Sequence, residues 1–175
     1  WDFGECFEAQ LDFLVNFCGL GAGLFITGGE NREITVCGEG GLSITRSFER
    51  SIESALARDE FREIGEKDMH EAADMTGVKL LYKQELIKQA PYGLDGVGVT
   101  FECENSAISS IMNDVLAKLG AEQGGDIVLR CGVSGAKLSA YSPAAGETGY
   151  DKLLAVCCLG ELENGRDIAV AYDAP

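Results

Sequence analysis

The sequence predicts an α+β fold in which an antiparallel sheet is packed on one face by helices. Two observations predict it. A helical pattern, a glycine-rich turn and a β-hairpin pattern follow one another in residues 3–37, and the same order returns in residues 105–141. Helical and extended patterns then alternate along the rest of the chain, in a composition that is 46% hydrophobic and 25% charged. That balance is typical of a globular protein with an ample core.

The chain length favours one domain over residues 1–175, and the repeated helix–hairpin unit suggests halves 1–90 and 91–175. Residue identity between the two units is low, so the repeat is either a true duplication or a coincidence.

The first predicted helix has apolar residues at steps of three and four: Phe3, Phe7, Leu11, Leu14 and Cys18. Glycines 19, 21 and 23 end it. Two strands are predicted next, at residues 24–27 and 33–37, joined by a turn at residues 28–31.

A second helix is predicted to begin at Ser43, whose hydroxyl can cap it. Its apolar stripe has strict i, i+4 spacing: Ile44, Phe48, Ile52 and Leu56. Another helix is expected to start at Asp68, with Glu71 in capping-box register and Gly77 near its end. Residues 78–82 fit a helix or a strand.

In the second half, residues 97–102 read as a strand and Asn105 as the cap of a helix that ends at Gly120. The stripe of that helix is Ile108, Ile111, Met112, Val115 and Leu119.

Strands are predicted at 126–131 and 136–141, a central strand at 153–159, and a last strand at 167–172 after an Asn164-Gly165 turn. These C-terminal strands are expected to be covered by the helix that Asn105 caps, through Ile127, Leu129, Leu154, Val156 and Val170.

The charge of the chain excludes two classes of partner. A net charge of −15 and a pI near 4.3, without a cluster of Lys and Arg, argue against nucleic acid and anionic membrane surfaces. No apolar run reaches the roughly 18 residues that span a bilayer. A protein partner or self-association is expected instead, with a small molecule as a further candidate.

Seven cysteines lie mostly in apolar stretches, and no pair forms a C-x-x-C motif. An odd number of thiols in apolar surroundings suits buried, reduced cysteines better than a disulfide framework. This predicts a cytoplasmic protein whose thiols are mostly inaccessible. No motif in the sequence calls for a cofactor.

The clearest candidate ligand site is the Gly38–Ser43 turn, between a predicted strand and a predicted helix. Exposed N–H groups of Gly38, Gly40, Gly41 and Ser43 at a helix N-terminus could bind an anion. The phosphate fingerprint is incomplete, because Ser43 stands at the third glycine position and Glu39 would repel a phosphate. A tight strand-to-helix turn is the simpler interpretation.

His70 is the one histidine of the chain, and Glu66 and Asp74 stand four residues to either side of it. On a helix these three could share a face and bind a metal, but a solvated polar face explains them better, and no metal site is predicted. A nucleophilic cysteine is conceivable, but no local signature selects one of the seven.

The leading functional hypothesis is a non-enzymatic regulatory or protein-interaction domain that self-associates. The alternative is a small cytoplasmic enzyme that uses the Gly38–Ser43 turn as its anion site and a cysteine or carboxylate as catalyst. A pocket with convergent polar groups at the turn would favour the enzyme, and an exposed apolar patch would favour the interaction domain.

Overall fold

The structure is a computed structural model that describes residues 1–28, 33–60, 64–65, 67, 69–135 and 137–168. The chain divides into two compact units, Trp1–Gln89 and Ala90–Pro175. The division into one domain or two stays a prediction. Helices occur together with a two-stranded antiparallel sheet and a five-stranded mixed sheet, which confirms the α+β class.

The N-terminal unit contains a helix and a hairpin at its start and two more helices after them. Its elements are α1 (Glu8–Phe17), β1 (Gly23–Ile26), β2 (Ile34–Cys37), α2 (Arg46–Ala57) and α3 (Leu80–Gln89). Short 3-10 turns lie at Glu39–Gly41 and Thr76–Lys79. The predicted order of a helix followed by an antiparallel hairpin is confirmed, and Gly19 ends α1 with a positive φ of 63°. Most of the predicted hairpin turn lies outside the described residues.

One face of α1 forms the core of this unit. The core residues are Phe3, Leu11, Leu14, Val15 and Cys37. Gly23 lets β1 approach α1 closely, because a Cβ at Gly23 would press on Val15 and on the Cys37 thiol. The ring of Tyr82 on α3 meets Phe7 and Phe13 edge to face, with centroids 5.5 and 5.4 Å apart. These contacts hold α1 between the hairpin and α3.

The helix predicted from Asp68 is wrong over its described part. Asp68 itself lies outside the described residues, and residues 69–73 are not helical. The chain instead forms a bridge between Asp2 and Asp74 and then turns through the 3-10 segment into α3. Backbone pairing with Asp2 satisfies the Ala73 carbonyl and the Met75 N–H, at 2.9 and 2.8 Å.

The C-terminal unit contains β3 (Gly98–Cys103), α4 (Ser106–Lys118), β4 (Glu122–Gln123), β5 (Ile127–Cys131), β6 (Leu138–Ser142), β7 (Gly146–Thr148) and α5 (Tyr150–Glu163). The strand order is β4-β3-β5-β6-β7. The β3 strand is parallel to both β4 and β5, whereas β5, β6 and β7 are antiparallel. The expected purely antiparallel sheet is therefore wrong. The physical reason is α4, a crossover helix that returns the chain to start β5 in the direction of β3.

The predicted caps of α4 are confirmed. The Asn105 side chain accepts hydrogen bonds from the N–H groups of Ala107 and Ile108, at 3.0 and 3.3 Å. Gly120 follows the helix with a φ of 89°. Ile108, Val115 and Leu116 are buried, and α4 packs against β3, whose Val99 and Phe101 are buried too.

Two details of the expected α4 packing differ from the prediction. The helix contacts β3 more than the later strands, and the expected contacts Leu154 and Val156 lie in α5. Val170 lies outside the described residues. Asn113 of α4 is half-buried and donates to the Ser109 hydroxyl at 3.4 Å.

The central strand predicted at 153–159 is wrong, because these residues form the middle of α5. Gly165 has a φ of 72° and follows the C-cap residue Asn164, so this pair ends a helix and does not open a hairpin. The last strand is predicted at residues 167–172. Asp167 and Ile168 do not belong to a strand, and residues 169–172 lie outside the described residues.

Both units place a helix before an antiparallel hairpin, α1 before β1–β2 and α4 before β5–β6. The second hairpin belongs to a larger sheet, and this shared order does not confirm a duplication. Within the described part of the chain, no helix has the length and apolar character needed to cross a bilayer.

Candidate functional site

The predicted anion site, the Gly38–Ser43 turn, closes on itself. Gly38 donates its N–H to the carbonyl of Leu42 at 2.7 Å, and Gly41 donates to the carbonyl of Gly38 at 3.1 Å. A bridge between Cys37 and Ser43 extends the β2 ladder across the turn. Two of the N–H groups that an anion would need are therefore already used inside the turn.

Glycine is needed in this turn for its backbone conformation and for close packing. Gly40 and Gly41 have φ values of 71° and 69°, and a Cβ at Gly41 would overlap the backbone carbonyl of Asp12 on α1. The turn therefore lies directly against α1. Burial raises the pKa of the neighbouring Cys37 thiol, and a hydrogen bond with the Asp12 carboxylate raises it further.

Ser43 does not cap α2, which corrects the predicted helix start. Thr45 is the N-cap residue, and its hydroxyl accepts from the N–H of Phe48 at 3.4 Å. Pairing with Cys37 holds Ser43 in the turn, so the helix begins at Arg46. Anion binding by Gly38, Gly40, Gly41 and Ser43 stays a prediction.

The residues considered for a metal do not share a helix face. His70 is exposed and lies outside any helix, and Glu66 lies outside the described residues. Asp74 accepts from the N–H of Thr76 at 3.0 Å. Among the residues that the structure describes, no three His, Cys, Asp or Glu side chains are arranged to bind a metal.

The expectation of mostly inaccessible cysteines is also wrong. Of the seven free thiols, Cys37 is buried, Cys157 is exposed and the other five are partly exposed. Cys157 is exposed because it lies on a helix of which no residue is buried, and not in a central strand.

An exposed apolar surface lies on the hairpin of the N-terminal unit. The register pairs Leu24 with Val36 and Ile26 with Ile34, so these four side chains share one face, which we call the outer hairpin face. Leu24, Ile26 and Ile34 are 63%, 60% and 64% exposed. The opposite face, with Gly23 and Cys37, packs on α1.

A second exposed apolar surface lies on α2. Phe48, Ile52 and Leu56 recur at i, i+4 spacing along this 12-residue helix, and we call them the α2 stripe. No residue of α2 is buried, and Phe48 and Leu56 are 54% and 56% exposed. The i, i+4 spacing in the sequence predicts this stripe correctly.

The outer hairpin face was not recognised from the sequence. A signal for it exists: Leu24, Phe25 and Ile26 are consecutive apolar residues, so both faces of β1 are apolar. A strand of this kind needs a cover on each side, and α1 supplies one of them.

No protein-family model matches the chain, and no curated protein sequence matches it.

Proposed function

We propose that the protein is an interaction domain that self-associates through its N-terminal unit, with the α2 stripe of each copy covering the outer hairpin face of the other. The observation that supports the proposal is the exposure of two apolar surfaces of different shape, a helix stripe and a sheet face, in the same unit.

Each surface needs a partner for its own stability. A two-stranded hairpin is marginal in water unless a further layer covers it, and α1 covers only one of its faces. A helix of about 12 residues is likewise marginal when it buries nothing, since most helical stability in proteins comes from packing. Both elements would be stabilised by covering the other.

A second copy of the chain is the occupant that fits both surfaces. Helix on sheet is one of the standard ways to bury two apolar faces. Because every copy carries one stripe and one hairpin face, a two-fold arrangement uses both surfaces twice and leaves neither open.

The charges of α2 suit contact with a copy of this chain. The chain has a net charge of −15, so contact between most parts of two copies is repulsive. The α2 region differs, because the helix itself has no net charge: Arg46 and Arg50 balance Glu49 and Glu53. A helix without net charge adds no repulsion when it approaches an acidic copy.

Regulation and a cytoplasmic location belong to the same proposal. No complete catalytic motif occurs in the sequence, and the seven thiols are free, which suits a reducing compartment.

Burial of a Leu or Ile side chain contributes about 1.5–3 kcal/mol, so one charged substitution in either surface should be enough to separate the copies.

The test measures the assembly state of the full chain by sedimentation velocity over a wide range of concentration. We expect a dimer for the wild type and a monomer for Ile34→Glu. Thr35→Glu is the matched control, since Thr35 is the neighbouring exposed residue on the other face of β2. A wild type that stays monomeric throughout, or a Thr35→Glu variant that dissociates as fully as Ile34→Glu, would refute the proposal.

A second pair of variants tests the helix. Phe48→Glu should dissociate the dimer, whereas Ser54→Glu on the solvated side of α2 should leave it intact. If Ile34→Glu dissociates the dimer and Phe48→Glu does not, the copies pair through their hairpins alone, and the exchange of helices is wrong.

A further inference from the structure

Two thiols lie side by side in the C-terminal unit, at the ends of the parallel strands β3 and β5. Cys103 and Cys131 are direct partners in the strand register, and each is the last residue of its strand. Partners in register have side chains on the same face of the sheet. No local sequence pattern indicates this pair, since the two residues lie before and after α4 in the chain.

The spacing of the pair suits a covalent bridge. Neighbouring strands lie about 4.8 Å apart. Disulfides join residues whose Cα atoms are roughly 4.4–6.8 Å apart, so the spacing of paired strands falls within the range that a disulfide spans. The sulfur of Cys103 is held near the carbonyl of Gly132 at 3.7 Å, next to Cys131 in the chain.

A reagent can reach both thiols. They are partly exposed and line a groove of about 510 Å³ that opens between Phe101, Ser109 and Arg130. Carboxylates on the neighbouring strands pair with the Arg130 guanidinium: Glu102 at 2.8 Å and Glu147 at 3.0 Å. Because Glu102 and Glu147 neutralise the Arg130 guanidinium, the groove does not select for anions. It is wide enough for a small neutral oxidant.

We propose that Cys103 and Cys131 form a dithiol modification site, at which a hydroperoxide converts the two thiols into a reversible disulfide between β3 and β5. In the first step the Cys103 sulfur attacks one peroxide oxygen, the O–O bond breaks, and a sulfenic acid and an alcohol, or water, are formed. In the second step the Cys131 sulfur attacks the sulfenic sulfur. The S–S bond forms, and the hydroxyl group leaves as water with the Cys131 proton.

The environment of Cys131 supports this division of roles. Burial raises the pKa of the Cys131 thiol, and the adjacent Cys103 raises it further, so Cys131 stays protonated at neutral pH. A protonated thiol is a poor first nucleophile toward peroxide. Cys131 is therefore assigned to the second step, in which its proton is needed to form water.

A disulfide between Cys103 and Cys131 would link the chain segments that follow β3 and β5, beside the groove. Asn105, two residues after Cys103, caps α4 and also donates its amide to the carbonyl of Val133 at 3.1 Å. A disulfide would tie together the same two chain segments that this side chain joins. Such a reversible thiol site suits the reducing compartment proposed above, where disulfides are mainly transient and responsive to oxidants.

The test treats the folded, reduced full chain with hydrogen peroxide and measures its intact mass and its proteolytic map. We expect the monomer mass to fall by two hydrogen atoms, with Cys103 and Cys131 in one cross-linked peptide pair and full reversal by dithiothreitol. Cys157→Ser, which removes an exposed thiol elsewhere, should behave like the wild type.

Variants of the pair itself complete the experiment. Cys103→Ser and Cys131→Ser should each abolish the loss of two hydrogens, and Cys131→Ser should instead accumulate a sulfenic acid that a cyclic diketone traps. The proposal is refuted if the wild-type map shows oxidation only at Cys157 or a cross-link between other cysteines. The wild-type map alone decides this outcome, even if a serine variant fails to fold.

Discussion

Helices α2 and α4 are nearly matched in length and pattern, yet they differ in what they bury. They have 12 and 13 residues, each has a polar N-cap, and each carries an apolar stripe. α4 buries Ile108, Val115 and Leu116 in the C-terminal unit, whereas α2 buries no residue at all. Periodicity thus predicts that a helix has an apolar face, but it does not say which surface covers that face.

The sheets differ in the same way. The five-stranded sheet of the C-terminal unit has Val99 and Phe101 buried on β3, where α4 packs. The hairpin of the N-terminal unit has only two strands and leaves Leu24, Ile26 and Ile34 exposed. In the C-terminal unit α4 and β3 bury apolar side chains against each other, whereas in the N-terminal unit the α2 stripe and the outer hairpin face are left uncovered.

The comparison predicts opposite results for the same kind of truncation in the two helices. Ile108→Ala should lower the free energy of unfolding by about 2–5 kcal/mol, because Ile108 is 3% exposed and the lost side chain leaves a cavity. Phe48→Ala should cost less than about 0.5 kcal/mol at a concentration where the copies are apart, as at other surface sites. Urea denaturation of both variants, with sedimentation to fix the assembly state, measures the difference. Equal losses in both variants at low concentration would mean that α2 packs within its own copy.

The turn beside α1 provides the next test, because it packs tightly against the helix that forms the core of the N-terminal unit. Gly41→Ala should cost roughly 2–4 kcal/mol, since the new Cβ adds left-handed strain and overlaps the Asp12 carbonyl. Gly19→Ala is the control: its φ is 63°, nothing lies within 4 Å of the new Cβ, and about 1–2 kcal/mol of strain is expected. Thermal melts of the two variants separate the overlap from the strain. If both variants lose the same stability, the close approach of the turn to α1 is wrong.

The features that the sequence predicted well are those with local chemical signals. Asn105 and Gly120 mark the two ends of α4 by capping chemistry, which depends on a few neighbouring residues. Gly19 likewise marks the end of α1. The strands at 23–26 and 34–37 are also signalled locally, by short apolar runs next to glycines.

The features that were missed depend on distant contacts. Residues 153–159 are apolar in every direction, and such a run fits a buried strand or a helix equally well by periodicity. The Cys103–Cys131 pair arises from the parallel pairing of β3 with β5, which no local pattern encodes. Serine often caps helices, which predicts Ser43 as the cap of α2, but the pairing of Ser43 with Cys37 holds it in the turn.

A smaller effect is expected at the two helix caps, and it sharpens the comparison of α2 with α4. Asn105→Ala should cost about 0.5–2 kcal/mol, because Asn105 accepts two backbone N–H groups and also binds the Val133 carbonyl. Thr45→Ala should cost about 0.5 kcal/mol, since its hydroxyl accepts one long bond at 3.4 Å on a helix that packs weakly. Denaturant melts measure both losses. A larger loss for Thr45→Ala would show that α2 contributes more to its own unit than its exposure indicates.

The smallest effect is expected at acid pH, at two exposed carboxylates of the N-terminal unit. The pKa of Asp74 is lowered below its ordinary value of 3.8. The larger cause is the hydrogen bond from the backbone N–H of Thr76, and the second is a hydrogen bond from the Thr76 side chain. The pKa of Glu85 is lowered below 4.5, first by Gln89 and then by Lys88. A lowered folded-state pKa means that each carboxylate stabilises the fold above its ordinary pKa, and that this contribution is lost as the pH falls through the folded value.

The two carboxylates differ in what binds them, which gives the last prediction. The partner of Asp74 is a backbone N–H held in the turn before α3, whereas the partners of Glu85 are the long, exposed side chains of Lys88 and Gln89 on the helix. A fixed donor loses less conformational entropy when it binds, so Asp74→Asn should lower the urea midpoint at pH 7 more than Glu85→Gln does. The gap between Asp74→Asn and the wild type should close as the pH falls below 3.8. A gap that persists unchanged at low pH would show that the bond between Asp74 and Thr76 does not depend on the carboxylate charge.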